Sequence, residues 1–146
     1  MTRPMNARSV WGWRVALLGV VAAVGASPMG AMAAGKYDGS TPFLCVPIAI
    51  NECTPDGECR RVAAEKVNLP QFLKVDAKAQ QVTSEETGRK SPVKNVEHLD
   101  GNMILQGGQA GRGWTMTISE TTGKMSVAIT SEGDGFVVFG ACTPLP

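Results

Sequence analysis

The chain has 146 residues, with 14 basic and 13 acidic side chains, one histidine, four cysteines and a formal net charge of +1. That length suits one domain, and so small a charge gives no electrostatic footprint for nucleic acid. The cysteines fall at Cys45, Cys53, Cys59 and Cys142. They contain no close pair of the kind that frames a structural zinc site, and no Cys-x-x-Cys redox motif, so neither a metal nor another cofactor is expected.

The first 33 residues read as an export signal. Arg3, Arg8 and Arg14 precede any acidic residue, residues 15–26 are apolar, Pro28 and Gly30 break the run, and Ala31-Met32-Ala33 offers the small residues of a cleavage site. The apolar run falls short of the roughly 20 residues needed to span a bilayer. The arginines are dispersed, which does not suit a twin-arginine signal. Cys45 lies too far downstream to carry a lipid. Cleavage after Ala33 leaves a single domain of residues 34–146, in the periplasm or outside the cell and no longer tied to a membrane. Three basic residues leave with the signal, so this domain carries a net charge of −2, with Trp114 its only tryptophan and Tyr37 its only tyrosine.

Residues 34–41 form a polar, glycine-containing lead-in. Residues 43–50 are apolar and β-branched, with Pro47 inside, so this strand is expected at a sheet edge or with a bulge, because proline donates nothing to a ladder. Cys53-Thr-Pro-Asp-Gly-Glu-Cys59 is a turn. Pro55 pre-sets the first corner, Gly57 takes a positive φ, Thr54 and Glu58 close the hairpin, and Cys53 faces Cys59 at the next pair. Residues 60–69 fit neither strand nor helix periodicity, leaving a bulged strand and a short helix both open until Pro70. Residues 72–76 and 81–83 read as strands about a turn at 77–80. Residues 84–92, with Glu85, Glu86, Arg89 and Lys90, read as a solvated loop.

Residues 93–99 and 103–106 are strands joined by Asp100-Gly101-Asn102, a hairpin signal. Residues 107–113 are glycine-rich and read as a flexible hairpin loop. Trp114, Met116 and Ile118 then alternate with Thr115, Thr117 and Ser119; past Thr122-Gly123, Met125, Val127 and Ile129 alternate with Ser126, Ala128 and Thr130. A period of two puts one set in a core and the other in water, and it predicts Trp114 as a buried indole. Residues 136–139 are apolar on both faces, as in a strand interior to a sheet or closing a barrel.

These short strands with glycine and proline turns predict an all-β fold. The expectation is a small antiparallel up-and-down barrel or sandwich of about seven or eight strands, with at most one short helix. An even cysteine count in an exported chain predicts two disulfides. Hairpin geometry selects Cys53–Cys59, which leaves Cys45–Cys142 to staple the first strand to the last.

No catalytic constellation accompanies His98. Glu97 and Asp100 are close in sequence, but adjacent strand residues face opposite ways, and no nucleophile motif is present. The glycine-rich stretch lacks the Gly-Lys-Ser/Thr ending and following helix of a phosphate loop. The expected function is therefore an exported, non-catalytic binding or envelope-interaction module. The alternatives are a small periplasmic enzyme using His98, or a metal or small-ligand carrier. The sequence does not name a partner; an envelope protein or a small ligand is the class expected. The loops carrying Gln109 and Arg112, and Arg89 and Lys90, are the candidate binding ground, because interfaces want arginine anchors on exposed loops.

The Cys-to-Cys hairpin, Asn68-Leu69-Pro70-Gln71-Phe72 leading into Val75-Asp76, the Gly113-Trp114 strand, Thr122-Gly123 and terminal Gly140-Ala141-Cys142 resemble the uncharacterised small exported proteins of Gram-negative bacteria. The size and the first-to-last disulfide are also similar in outline to periplasmic lysozyme inhibitors, although their Ser-Gly-x-x-Tyr loop is absent. The first resemblance implies a small exported domain and no particular activity.

Overall fold

A computed structural model of the chain describes residues 36–145. The export signal expected over residues 1–33 lies outside the described residues. The strands are β1 (Phe43–Cys53), β2 (Cys59–Val62), β3 (Leu73–Asp76), β4 (Gln81–Ser84), β5 (Lys90–Leu99), β6 (Asn102–Gln109), β7 (Arg112–Ser119), β8 (Lys124–Thr130) and β9 (Gly135–Pro144). A single 3-10 turn, Ala64–Val67, separates β2 from β3. Every pairing is antiparallel, and β1 joins β9 as well as β3, so eight strands close into a barrel in sequence order with β2 as an extra flap. Closure removes the free edges that an open sheet would expose. It also settles the choice between barrel and sandwich.

The closure depends on how β1 shares its two edges. One edge pairs with β9 along the strand. The other pairs with β3 through Phe43, Leu44 and Cys45, then with β2 through residues 50–53. Pro47 sits between those two partners, where no ladder needs its missing N–H, and the β9 register shifts between Pro47 and Ala49. The bulge expected at this proline is present, although the strand is not at a sheet edge. Gly140 makes room for it, since a Cβ there would meet the Val46 carbonyl oxygen at 2.3 Å.

The cysteine hairpin forms as its sequence dictates. Thr54 N–H donates to the Glu58 carbonyl at 2.9 Å, Gly57 has φ +89°, and Cys53 and Cys59 are direct cross-strand partners joined by a disulfide. Cys45 and Cys142 are likewise paired across β1 and β9 and bonded. The turn Asp100–Gly101 has positive φ at both residues, as a two-residue hairpin of primed type requires. Residues 60–69 resolve into both alternatives, strand β2 followed by the 3-10 turn.

Four local expectations need correction. The glycine-rich stretch 107–113 is not a flexible loop: β6 runs to Gln109 and β7 starts at Arg112, leaving only Ala110 and Gly111 as the turn. The polar loop 84–92 shrinks to residues 85–89, because Ser84 is buried at the end of β4 and Lys90 already opens β5. The lead-in is not merely polar, since Tyr37 is buried against Phe43, with ring centroids 5.7 Å apart. Trp114 is half-buried rather than fully buried.

The core is graded along the barrel. Successive hairpins of a meander place alternate turns at opposite ends, so turns 77–80, 100–101 and 120–123 share one end. Phe43, Val75, Met103 and Ile118 are fully enclosed toward that end, and Tyr37 caps it, its N–H donating to the Glu120 carbonyl at 2.9 Å. On the outer wall, the apolar β9 residues Val137 and Phe139 remain 38% and 50% exposed beside Ile48.

Candidate binding site at the open end of the barrel

The turns 85–89, 110–111 and 131–134 lie at the opposite end. Val82, Ser84, Ser91, Val127 and Val138 line a cavity that opens there, together with Trp114, Met116 and Ile129. An eight-stranded barrel is just wide enough for side chains to fill or for one small ligand. Here the second outcome holds: a cavity of about 480 Å³. This is within the roughly 300–1,000 Å³ of small-molecule sites.

Trp114 forms one wall, and glycine makes its position possible. Gly107 is its cross-strand partner, and a Cβ on Gly107 would lie 2.3 Å from the indole Cζ2 and 2.4 Å from the Pro92 carbonyl oxygen. The indole thus packs over bare backbone, and its Nε1–H donates to Ser91 Oγ at 3.0 Å. Its apolar face is fixed beside the cavity while its polar edge is satisfied.

The segment between β2 and β3 contributes Asn68, Leu69 and Pro70 to the rim. Asn68 adopts φ +53°, the left-handed conformation that asparagine tolerates, and this ends the 3-10 turn. Three contacts tie the segment down. The Gln71 N–H donates to the Glu86 carboxylate at 2.9 Å, Gln71 Nε2 donates to Glu65 Oε1 at 2.8 Å, and an Arg89 guanidinium N–H donates to the Asn68 carbonyl at 3.2 Å.

The structure brings three of the four sequence candidates to one place. Gln109, Arg112 and Arg89 all line this cavity, although 23 residues separate the two arginines. Lys90 does not line it; its carbonyl instead accepts a hydrogen bond from Gln109 Nε2 at 2.7 Å. The Arg112 guanidinium lies 5.5 Å from the Phe136 ring centroid, a cation–π contact that orients it. Neither Arg89 nor Arg112 forms an ion pair among the described residues, and no aspartate or glutamate lines the cavity. The sequence reading missed Leu69, Leu73 and Val82 as cavity walls. Their only signal was apolarity, which a filled core shares.

His98 stands apart. Its Nδ1 lies 2.5 Å from Glu120 Oε1 in the turn after β7, a partner other than Glu97 or Asp100, and its side chain is half exposed. It lines neither this cavity nor the one at the cysteine hairpin. A carboxylate is thus within reach, but on open surface and without an adjacent nucleophile. Among the described residues, no cluster of three or more His, Cys, Asp or Glu side chains is placed to hold a metal ion, and no helix is long and apolar enough to cross a membrane.

The fold and site together define a disulfide-stapled antiparallel barrel, capped at one end and hollow at the other. No family model, curated protein or solved structure matches the chain.

Proposed function

We propose that this protein is an exported, non-catalytic binding module that holds a small ligand in the hollow end of its barrel. The observation that carries the reading is the 480 Å³ cavity, with an apolar interior and a few polar groups at its rim. That is the usual constitution of a ligand site. Export is supported by the charged, apolar and small-residue order of the first 33 residues and by two disulfides, which persist in oxidising compartments.

The test uses a small neutral apolar dye, 1-aminonaphthalene, whose eleven non-hydrogen atoms fit a cavity of about 480 Å³ and whose emission shifts to the blue out of water. Saturable one-to-one binding is expected. Val127→Phe, which fills the cavity from β8, should weaken binding at least tenfold while circular dichroism still reports a folded β protein. Dye binding that is absent, or unchanged in the folded variant, would refute the site. Export is checked separately, by N-terminal sequencing of protein recovered from the envelope, which should begin at Ala34.

A further inference from the structure

We infer that the ligand is a small amphiphile with an anionic head, its apolar body inside the barrel and its head between Arg89 and Arg112. This deepens the binding reading above and rests on it. Three observations point the same way. The first is charge. The domain of residues 34–146 is slightly acidic overall, yet the cavity rim holds two arginines and no acid. The nearby carboxylates of Glu65 and Glu86 are engaged by Gln71 instead.

The second is donor capacity. A guanidinium has five N–H donors in a fork that matches carboxylate or phosphate oxygens. Arg89 commits one side-chain donor to the Asn68 carbonyl, and Arg112 lies over the Phe136 ring with no side-chain hydrogen bond of its own among the described residues. Gln109 spends its amide N–H on the Lys90 carbonyl. A cationic ligand would meet like charge at the rim, and a neutral one would leave both cations unused.

The third is size and polarity. Below the rim, Leu73, Val82, Met116, Val127, Ile129 and Val138 present only carbon and sulfur. A methylene takes about the same space as a water's share of liquid, roughly 30 Å³. The 480 Å³ cavity therefore holds an apolar body of about 10–14 non-hydrogen atoms at realistic packing. That excludes two-chain lipids from entering whole and suits one medium-length chain or a fused ring system.

The experiment displaces the neutral dye with four ligands sharing a ten-carbon chain: decanoate, decyl phosphate, decanol and decyltrimethylammonium. At least one anionic ligand is expected to bind about tenfold or more tighter than decanol, and the cation weakest, in line with charge-assisted contacts at a partly exposed rim. The Arg89→Ala/Arg112→Ala double variant should lose that preference, read as the ratio of anion to decanol affinity within the same variant. Should the double variant fail to fold, the native protein still decides the matter: between low and high salt, affinity for the anion should fall several-fold while that for decanol stays flat. The relative response of decanoate and decyl phosphate distinguishes a carboxylate from a phosphate head. Equal affinity for all four ligands, with the dye still binding, overturns the anionic assignment and leaves the site standing. Absence of dye binding removes both. Binding to phosphatidylglycerol vesicles without binding to decanoate or decyl phosphate overturns the assignment in favour of a lipid surface.

Discussion

Replacing Gly107 with alanine tests how Trp114 is held at the cavity wall. The added methyl would sit 2.3 and 2.7 Å from two indole carbons and 2.4 Å from the Pro92 carbonyl oxygen. The ring can swing away, but the carbonyl belongs to β5 and moves only with the sheet. Overpacking of this kind costs about 1–3 kcal/mol. Displacing the indole also breaks its bond to Ser91 Oγ, a further cost of about 1 kcal/mol. A total near 3 kcal/mol corresponds, for a domain of this size, to a fall in Tm of about 12 °C. Denaturant and thermal unfolding followed by circular dichroism give the stability. Trp114 emission should shift to the red as the ring moves into water. Gly113→Ala is the control, because its Cβ would meet only Thr130 Oγ1 at 3.7 Å, and it should change stability by less than about 0.5 kcal/mol. If Gly107→Ala matched that control with unchanged emission, the account of the Trp114 wall would be wrong.

Removing the two disulfides should have unequal effects. Replacing Cys45 and Cys142 together, with a separation of 97 residues, should cost about 4–5 kcal/mol by loop entropy. Replacing Cys53 and Cys59, separated by 6, should cost about 2 kcal/mol, and equal losses in urea unfolding would contradict the closure argument. Ala110 holds φ +52° beside Gly111 in the turn between β6 and β7, a conformation that Asn-Gly fills far better. Ala110→Asn should therefore stabilise the domain by about 0.5–1 kcal/mol in the same assay; a loss would count against the turn assignment. The Asp56 carboxyl is held below its ordinary value of 3.8 by the hydroxyl of Thr54, with help from the Glu58 backbone. Its contribution is thus present above pH 3.8 and disappears as pH falls through the lower folded value. Asp56→Asn should flatten stability against pH in that acid range and leave it unchanged in slope near neutrality.

The sequence by itself determined the alternating strands, the sharp turns and the Cys53–Cys59 pairing, because each is a local property, and Cys45–Cys142 followed by elimination. Alternation at Met116, Ile118, Met125 and Val127 fixes which side chains are buried, and Pro55-Asp56-Gly57 fixes a register that opposes Cys53 to Cys59. A period of two states which face is apolar but not whether the sheet closes. Only the tertiary structure decided that, through β1 sharing its edges among β2, β3 and β9 around Pro47. The same limit explains the misread glycines. Gly107 looks like loop chemistry until the indole of a distant residue is placed over it, since the demand for a missing Cβ comes from a partner across the sheet. Tyr37 carried no periodic signal either, because one aromatic in a polar segment caps a barrel only once there is a barrel to cap. Arg89 and Arg112 were legible as exposed arginines on two turns. Their meeting at one cavity was not, because it depends on alternate hairpins ending on the same side of a closed meander.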